Sequence, residues 1–152
     1  MIILCVGIMC VIFATDVVLK QRIEDTFLPG EKKEMLKGKI EVRKVHNYGF
    51  ALNFLDKKPF IVKCVSACAG IIAAIYEIIL LHKRGRHLEK LGGALLVGGA
   101  FSNMYDRIVR GYVVDYIGFQ TKWKKCSRIT YNIGDFAIFA GAILTALFSK
   151  RK

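Results

Sequence analysis

Asp115 and Asp135 are the residues whose surroundings make least sense without a chemical role. Asp115 follows the apolar pair Val113-Val114, and Asp135 sits in a predominantly apolar run from Ile129 to Phe148. A carboxylate in such a setting is costly unless it is paired or used. Two of them sharing a low-dielectric site cannot both ionise cheaply, so one keeps a proton. A pair of that kind can activate water: the ionised member takes a proton while the protonated one polarises a carbonyl. No Ser, Cys and His set in the chain offers an equally placed nucleophile and base. On spacing alone two readings stand side by side. One is an aspartic peptidase acting at a membrane surface. The other is structural, with Asp115 paired to Arg107 or Arg110 and Asp135 capping a bend beside Gly134.

Other polar residues fall where they could join such a site. Asn132 precedes Asp135 by three residues and so shares its helix face. Asn103 lies near the end of a Gly- and Ala-rich run and is expected to face its partners. Asp16 and Lys20 stand four apart and can pair; the spacing favours a salt bridge at the membrane interface, with Lys20 snorkelling, over the alternative that the two line a polar pocket at that end of the bundle. Asn47 reads as a turn residue, Gly49 as a tight turn and His46 as a surface histidine. Four of the five cysteines (Cys5, Cys10, Cys64, Cys68) lie in apolar runs, without the spacing of a metal site, and read as small hydrophobes. Cys126 lies in a basic loop. No metal and no cofactor is expected.

The elements that must hold these residues are apolar runs separated by charged blocks. The chain has 152 residues, 54% of them hydrophobic and 24% charged. Segregation of the charge between apolar runs is the pattern of a polytopic membrane protein, not of a soluble amphipathic domain. The expected architecture is a single all-α membrane domain over residues 1–152. Its four transmembrane helices are expected at about 2–20, 60–81, 91–109 and 129–148, with outer segments at 21–58 and 110–128. The first run reads as an uncleaved helix. In the second, Lys63 and Glu77 are expected to reach the headgroups, and the basic loop His82 to Lys90 reads as a solvated turn. The third run, with Gly92-Gly93 and Gly98-Gly99, is expected to be the central and most buried helix. A Pro29-Gly30 turn, a short strand at Ile40 to Val45 whose alternation slips once, and Phe50, Leu52 and Phe54 dipping into the interface complete the outer segment. The short basic loop and the basic tail place both on the cytoplasmic side, which puts the two aspartates near the outer face. The net charge of +12 reads as contact with anionic lipid. The basic residues form no stripe interleaved with aromatics, so no nucleic-acid partner is expected.

Four blocks of the chain, in order, resemble the bacterial lipoprotein signal peptidase (signal peptidase II) family from Asp16 to about Leu144. They are Asp16-x-x-x-Lys20; Val45-His46-Asn47-Tyr48-Gly49-Phe50-Ala51; Gly98 to Arg107 with Gly111-Tyr112-Val113-Val114-Asp115-Tyr116; and Tyr131-Asn132-Ile133-Gly134-Asp135. The last two are specific, because their polar residues and spacing are hard to obtain by chance in a membrane helix. The resemblance implies a multi-pass enzyme of the bacterial cytoplasmic membrane, with four helices, a small extracytoplasmic β-like cradle and its active site at the outer face. It implies Asp115 and Asp135 as catalytic residues, with Asn47, Asn103, Arg107 and Asn132 lining the site and Asp16, Lys20 and Gly49 supporting it. The substrate would be a lipid-modified prolipoprotein, cut before its diacylglyceryl-cysteine, and the enzyme is expected to be a monomer among membrane lipids. The chain departs from the family pattern at Phe50-Ala51-Leu52, and at Ser102 and Gly134, where glycine and alanine are usual. The alternative is a small four-helix transporter with an intramembrane proton-binding Asp, which should show an internal repeat or broken helices. The chain has no such repeat.

Overall fold

The computed structural model of the chain describes residues 1–28, 30–50, 54–121, 127 and 129–149. They form four helices and one four-stranded antiparallel sheet. The order is α1 (Ile2–Thr26), β1 (Lys32–Met35), β2 (Ile40–Asn47), α2 (Pro59–Leu81), α3 (His87–Val109), β3 (Val113–Phe119), β4 (Thr130–Tyr131) and α4 (Ile133–Phe148). The fold is therefore mostly helical rather than all-α. Pro29, Leu52, Cys126 and the basic tail, each given a reading above, lie outside the described residues.

Polarity is distributed inside out. Asp16, Lys20, Glu89, Ser102 and Asp106 are all 0% exposed, whereas Ile72 is 66% and Leu147 72% exposed. A soluble protein hides contiguous apolar surface of that extent, so this outward face suits hydrocarbon rather than water. Two helices, α1 and α2, are long and apolar enough to cross a membrane. At roughly 1.5 Å per residue, the 23 residues of α3 are also long enough, but they carry Glu89, Lys90, Asp106 and Arg107.

Those polar residues can be carried because α3 is the central helix, as expected, packing against α1, α2 and α4. Glycine makes the packing close. A Cβ at Gly92 would lie 2.9 Å from the Gly141 carbonyl oxygen, and one at Gly99 would collide with the Gly134 carbonyl oxygen. The seven-residue spacing of Gly92 and Gly99 on α3 thus matches that of Gly134 and Gly141 on α4. On its other side Gly98 approaches the backbone of Met9 on α1. Small residues at these crossings let backbones come into contact where no hydrophobic drive favours one apolar neighbour over another.

The sheet lies across the Asp115 end of this bundle, in the order β1-β2-β3-β4. Its β2–β3 register shifts between Val42 and Val45, the point at which the sequence alternation slips. After the shift Val45 pairs with Asp115 and Asn47 with Val113, and all four of these residues face one cavity. Val114 and Tyr116, on the opposite face, pack with Ile23 of α1. That contact explains why α1 runs on to Thr26 instead of ending near Lys20: its last turns serve as the floor of the sheet.

Several expected boundaries and environments are corrected. The third helix begins at His87, four residues before the apolar run, and the fourth at Ile133. The His82 to Lys90 segment is not simply a solvated turn, because its last residues are helical and buried. Glu89 accepts a hydrogen bond from the Tyr76 hydroxyl at 2.7 Å and pairs with Arg86 at 3.1 Å. Lys90 donates to the Lys83 carbonyl at 2.6 Å, satisfying a carbonyl just past the end of α2. Glu77 does not reach the headgroups; it is 1% exposed, with its carboxylate packed onto Gly93.

The glycine crossings yield a direct test. Gly99→Ala should destabilise the protein by about 1–3 kcal/mol through overpacking, whereas Gly7→Ala, with nothing within 4 Å of the added Cβ, should be neutral. Thermal unfolding of the two purified variants checks this, and equal melting temperatures would refute the account of the α3–α4 crossing.

Candidate active site

Asp115 comes from the middle of β3 and Asp135 from the first turn of α4, and Asn132 ties them together. The Asn132 side chain donates to Asp115 Oδ1 at 2.8 Å. The same residue is the N-cap of α4: its Oδ1 accepts the Asp135 backbone N–H at 2.9 Å, and its own N–H donates to Asp135 Oδ2 at 3.2 Å. This is a capping box with Asp in the acidic position, and it follows from the Asn-x-x-Asp spacing. The structural reading of Asp135 as a capping residue is therefore correct, and it is compatible with a chemical role. The structural reading of Asp115 is not: it accepts from Asn47 Nδ2 at 3.0 Å and from Asn132, and has no ion pair with Arg107 or Arg110 among the described residues.

The remaining expected residues converge on these two. Asn103 on α3 donates to Asp135 Oδ1 at 2.8 Å. Asn47 accepts the Gly49 N–H at 3.0 Å while donating to Asp115, so it is a turn residue and a site residue at once. Arg107 donates to the Gly49 carbonyl at 3.0 Å and lies over the Phe50 ring at 5.6 Å, which pins the turn after β2 above the site. The Arg107 Nε is buried without a partner among the described residues. His46 stays away from the dyad, pairing with Glu24 at 2.7 Å on the other face of the sheet.

Beneath the site lies a charged cluster that the sequence only half revealed. Lys20 is not at an interface and does not snorkel. It is fully buried between Asp16, at 2.8 Å, and Asp106, at 3.2 Å. It also donates to Ser102 Oγ at 3.1 Å and to Asn103 Oδ1 at 2.8 Å. The last bond has a consequence for the dyad. With its oxygen held by an ammonium, Asn103 can only present its NH2 to Asp135. Asp106, Ser102 and Tyr116 lie in the third resemblance block but were given no part in such a cluster. Asp106 accepts the Val114 N–H at 3.1 Å, anchoring β3 next to Asp115. The Tyr116 hydroxyl donates to Asp16 Oδ1 at 3.1 Å and accepts the Ile133 N–H at 3.2 Å, so it satisfies an open N–H at the start of α4. Burial, reinforced by the nearby Asp16 carboxylate, raises the Tyr116 pKa and keeps the hydroxyl a donor. Asp106 had a further signal in its place one turn after Asn103, whereas Tyr116 had only its place in the third block, which does not say what its hydroxyl meets.

Ser102 and Gly134, two of the chain's departures from the family pattern, face the same carboxylate. Ser102 Oγ donates to Asp16 Oδ2 at 2.7 Å, and a Cβ at Gly134 would stand 2.7 Å from that oxygen. The hydroxyl on α3 and the missing methyl on α4 are thus matched to one position of Asp16.

The two aspartates open into a cavity of about 690 Å³. Its polar end holds Asn47, Asn103 and Arg107; its other lining runs between Val65 and Gly70 of α2 and Ile138 and Phe139 of α4, and is apolar apart from Ser66. Burial pushes the Asp115 carboxyl up to about 7, with the neighbouring Asp135 carboxylate adding to the effect; the amide bonds from Asn47 and Asn132 act in the other direction. No group of three or more His, Cys, Asp and Glu able to hold a metal occurs among the described residues.

Comparison with known proteins gives a consistent picture. A family model described as Signal peptidase (SPase) II matches residues 8–150. The lipoprotein signal peptidase of Desulfitobacterium hafniense is 35% identical over 133 residues, covering 86% of this chain and 82% of that protein. That of Ectopseudomonas mendocina is 32% identical over 140 residues, covering 90% and 81%. A solved bacterial membrane enzyme superposes with a TM-score of 0.80 at 25% identity, over 97% of this chain and 92% of the other. A second, at 23% identity and a TM-score of 0.75, shares the fold.

The buried cluster carries a prediction. Lys20→Met leaves Asp16 and Asp106 without their cation in a dry core, and should cost about 3–5 kcal/mol. Thermal unfolding should report a large loss, whereas Lys63→Met, at a half-buried lysine bonded only to the Ile108 carbonyl among the described residues, should change little.

Proposed function

The chain belongs to the signal peptidase II family, and from that premise we propose that it is an aspartic endopeptidase built on the Asp115–Asp135 dyad. It is a membrane protease that processes lipoproteins by removing their signal peptides. The observation that carries the aspartic mechanism is the bridging of both carboxylates by Asn132 at the polar end of one cavity. The transporter reading has no support beside this.

The proposed roles follow from the local environments. Asp135 stands in the first turn of α4, where the helix N-terminus favours negative charge, and serves as the base. Asp115, protonated up to about pH 7, polarises the scissile carbonyl. Asp135 removes a proton from water, and the resulting hydroxide attacks the carbonyl carbon. The tetrahedral adduct then collapses as the leaving nitrogen takes up a proton from the dyad. The products are a signal peptide with a free carboxylate and a lipoprotein whose lipidated cysteine is the new N-terminus. Asn47, Asn103 and Asn132 hold the carboxylates in register. Arg107, with its Nε open, binds a carbonyl of the substrate backbone.

The diacylglyceryl-modified prolipoprotein enters from the bilayer, and the apolar arm of the cavity between α2 and α4 is the side open to it. The chain is one polytopic domain in which α3 and α4 cross the membrane alongside α1 and α2, the charges of α3 being turned inward. The dyad and sheet face the outer side of the cytoplasmic membrane, the basic His82–Lys90 segment faces the cytoplasm, and the enzyme acts as a monomer. Two carboxylates suffice for this chemistry without a metal.

Cleavage of a diacylglyceryl-prolipoprotein by the purified, reconstituted chain tests the mechanism. Asp115→Asn and Asp135→Asn should each lower kcat by about a hundred- to ten-thousandfold while remaining folded. Substantial activity in either variant would refute the dyad. The pH dependence has a defined sign. The raised pKa of Asp115 means that its proton is lost as pH rises through about 7, so cleavage should fall on the alkaline side. The same shift makes this group's contribution to stability greatest at acid pH and lost as pH rises through about 7. Asp115→Asn should flatten that slope in a pH series of thermal unfolding.

A further inference from the structure

The turn between β1 and β2 places apolar side chains where water-exposed turns carry polar ones. Leu36, Lys37 and Gly38 all have positive φ, at 50°, 57° and 78°. Glycine and asparagine adopt this region at lower cost than leucine. Leu36 nevertheless occupies the apex with 68% of its surface exposed, beside Met35 at 51%. Strand β1 is exposed along its whole length, so within the protein it is held by its pairing with β2. The same tip carries a net positive charge. Lys33, Lys37 and Lys39 are exposed and have no ion-pair partner among the described residues, against one exposed carboxylate, Glu34, which lies beside Gly38.

The depth of this tip is set by the corner of the sheet next to it. Ile40 pairs with Phe119, and the Lys39 carbonyl accepts the Gln120 N–H at 2.9 Å. Phe119 meets Phe136 edge to face at 6.2 Å, and Phe136 lies one turn inside α4. The end of the sheet that carries the turn is therefore fastened to the first turns of α4, which on the membrane placement proposed above is where that helix enters the hydrocarbon. An apolar apex flanked by free cations at that level matches an anionic leaflet, with apolar groups below the phosphates and lysines among them.

We propose that the β1–β2 turn is a lipid anchor, inserting Met35 and Leu36 among the headgroups of an anionic bilayer while Lys33, Lys37 and Lys39 pair with lipid phosphates. The anchor holds the outer edge of the sheet against the membrane, and with it the register of β2 and β3 that sets Asn47 opposite Asp115. It rests on the membrane placement given above, not on the dyad, and cleavage assays of the wild type report on the dyad separately.

The test uses the full chain in lipid nanodiscs, with Leu36→Trp introduced into a Trp123→Phe background so that a single indole reports the apex. Lipids brominated near the top of the acyl chain should quench its emission strongly in discs containing phosphatidylglycerol, and weakly in pure phosphatidylcholine. Replacing Lys33, Lys37 and Lys39 by Gln should remove the difference, since each lysine near an anionic surface is worth roughly fivefold in partitioning. Unchanged cleavage by these variants in detergent certifies their fold. Equal quenching in the two kinds of disc, or an indole open to aqueous iodide in both, would overturn the proposal.

Discussion

The rest of this structure depends on one buried ammonium. Lys20 holds Asp16 and Asp106 together in a region with no access to solvent, and each of those carboxylates fastens a different element. Asp16 receives Tyr116 from β3 and Ser102 from α3. Asp106 holds the backbone of β3 and, at 2.7 Å, Arg110 just after α3. An isolated buried charge would be ruinous in a low-dielectric interior; a lysine shared by two carboxylates, with a hydroxyl and an amide oxygen completing its shell, is tolerable. The cluster thereby fixes how α1, α3 and β3 meet.

The geometry of the candidate site follows from that junction. Asn103 has its amide oriented by Lys20, so the cluster below dictates what Asp135 sees from α3. Asn132 does the corresponding work from α4, capping the helix and bridging to Asp115. Every carboxylate oxygen of the dyad thus accepts from an asparagine, and three of these four bonds come from side-chain amides. Neutral donors of this kind hold carboxylates in place without supplying a positive charge that would keep both ionised. That arrangement is compatible with the acid–base role proposed for the pair.

Polar clusters occupy both ends of the bundle, while the middle is held by glycine. Glu77, Glu89 and Lys90 lie at the end opposite the dyad, buried against α1, α2 and α3. Between the two, α3 and α4 touch at backbone level through Gly92, Gly99, Gly134 and Gly141. This division suits a protein whose outside is apolar. In lipid the hydrophobic effect does not distinguish core from surroundings, so specificity passes to close backbone contact and to polar groups that have nowhere else to be satisfied.

Much of this was legible in the sequence. The four helices, the central position of α3 and the slip in β2 follow from apolar runs and alternation, because these are local properties. The nine residues expected at the site were named from motif spacing and the family resemblance; the fold gathers them around Asp115, Asp135 and the cluster beneath, and their roles there belong to the proposal. Environment was less legible. The Asp16–Lys20 spacing is the same for a snorkelling surface pair and for a buried one, and only the packing of α3 and β3 over α1 decides between them. The extension of α1 to Thr26 depends on a sheet that does not exist until β2 and β3 pair. Glu77 and Glu89 read as headgroup and loop residues because hydropathy cannot tell inward from outward on a helix. Tyr116 became a partner of Asp16 only when a strand and a helix one hundred residues apart in sequence were brought together. Residue types and spacing determined which chemistry was available; tertiary packing decided which charges were buried, because burial is a property of neighbours and not of the residue itself.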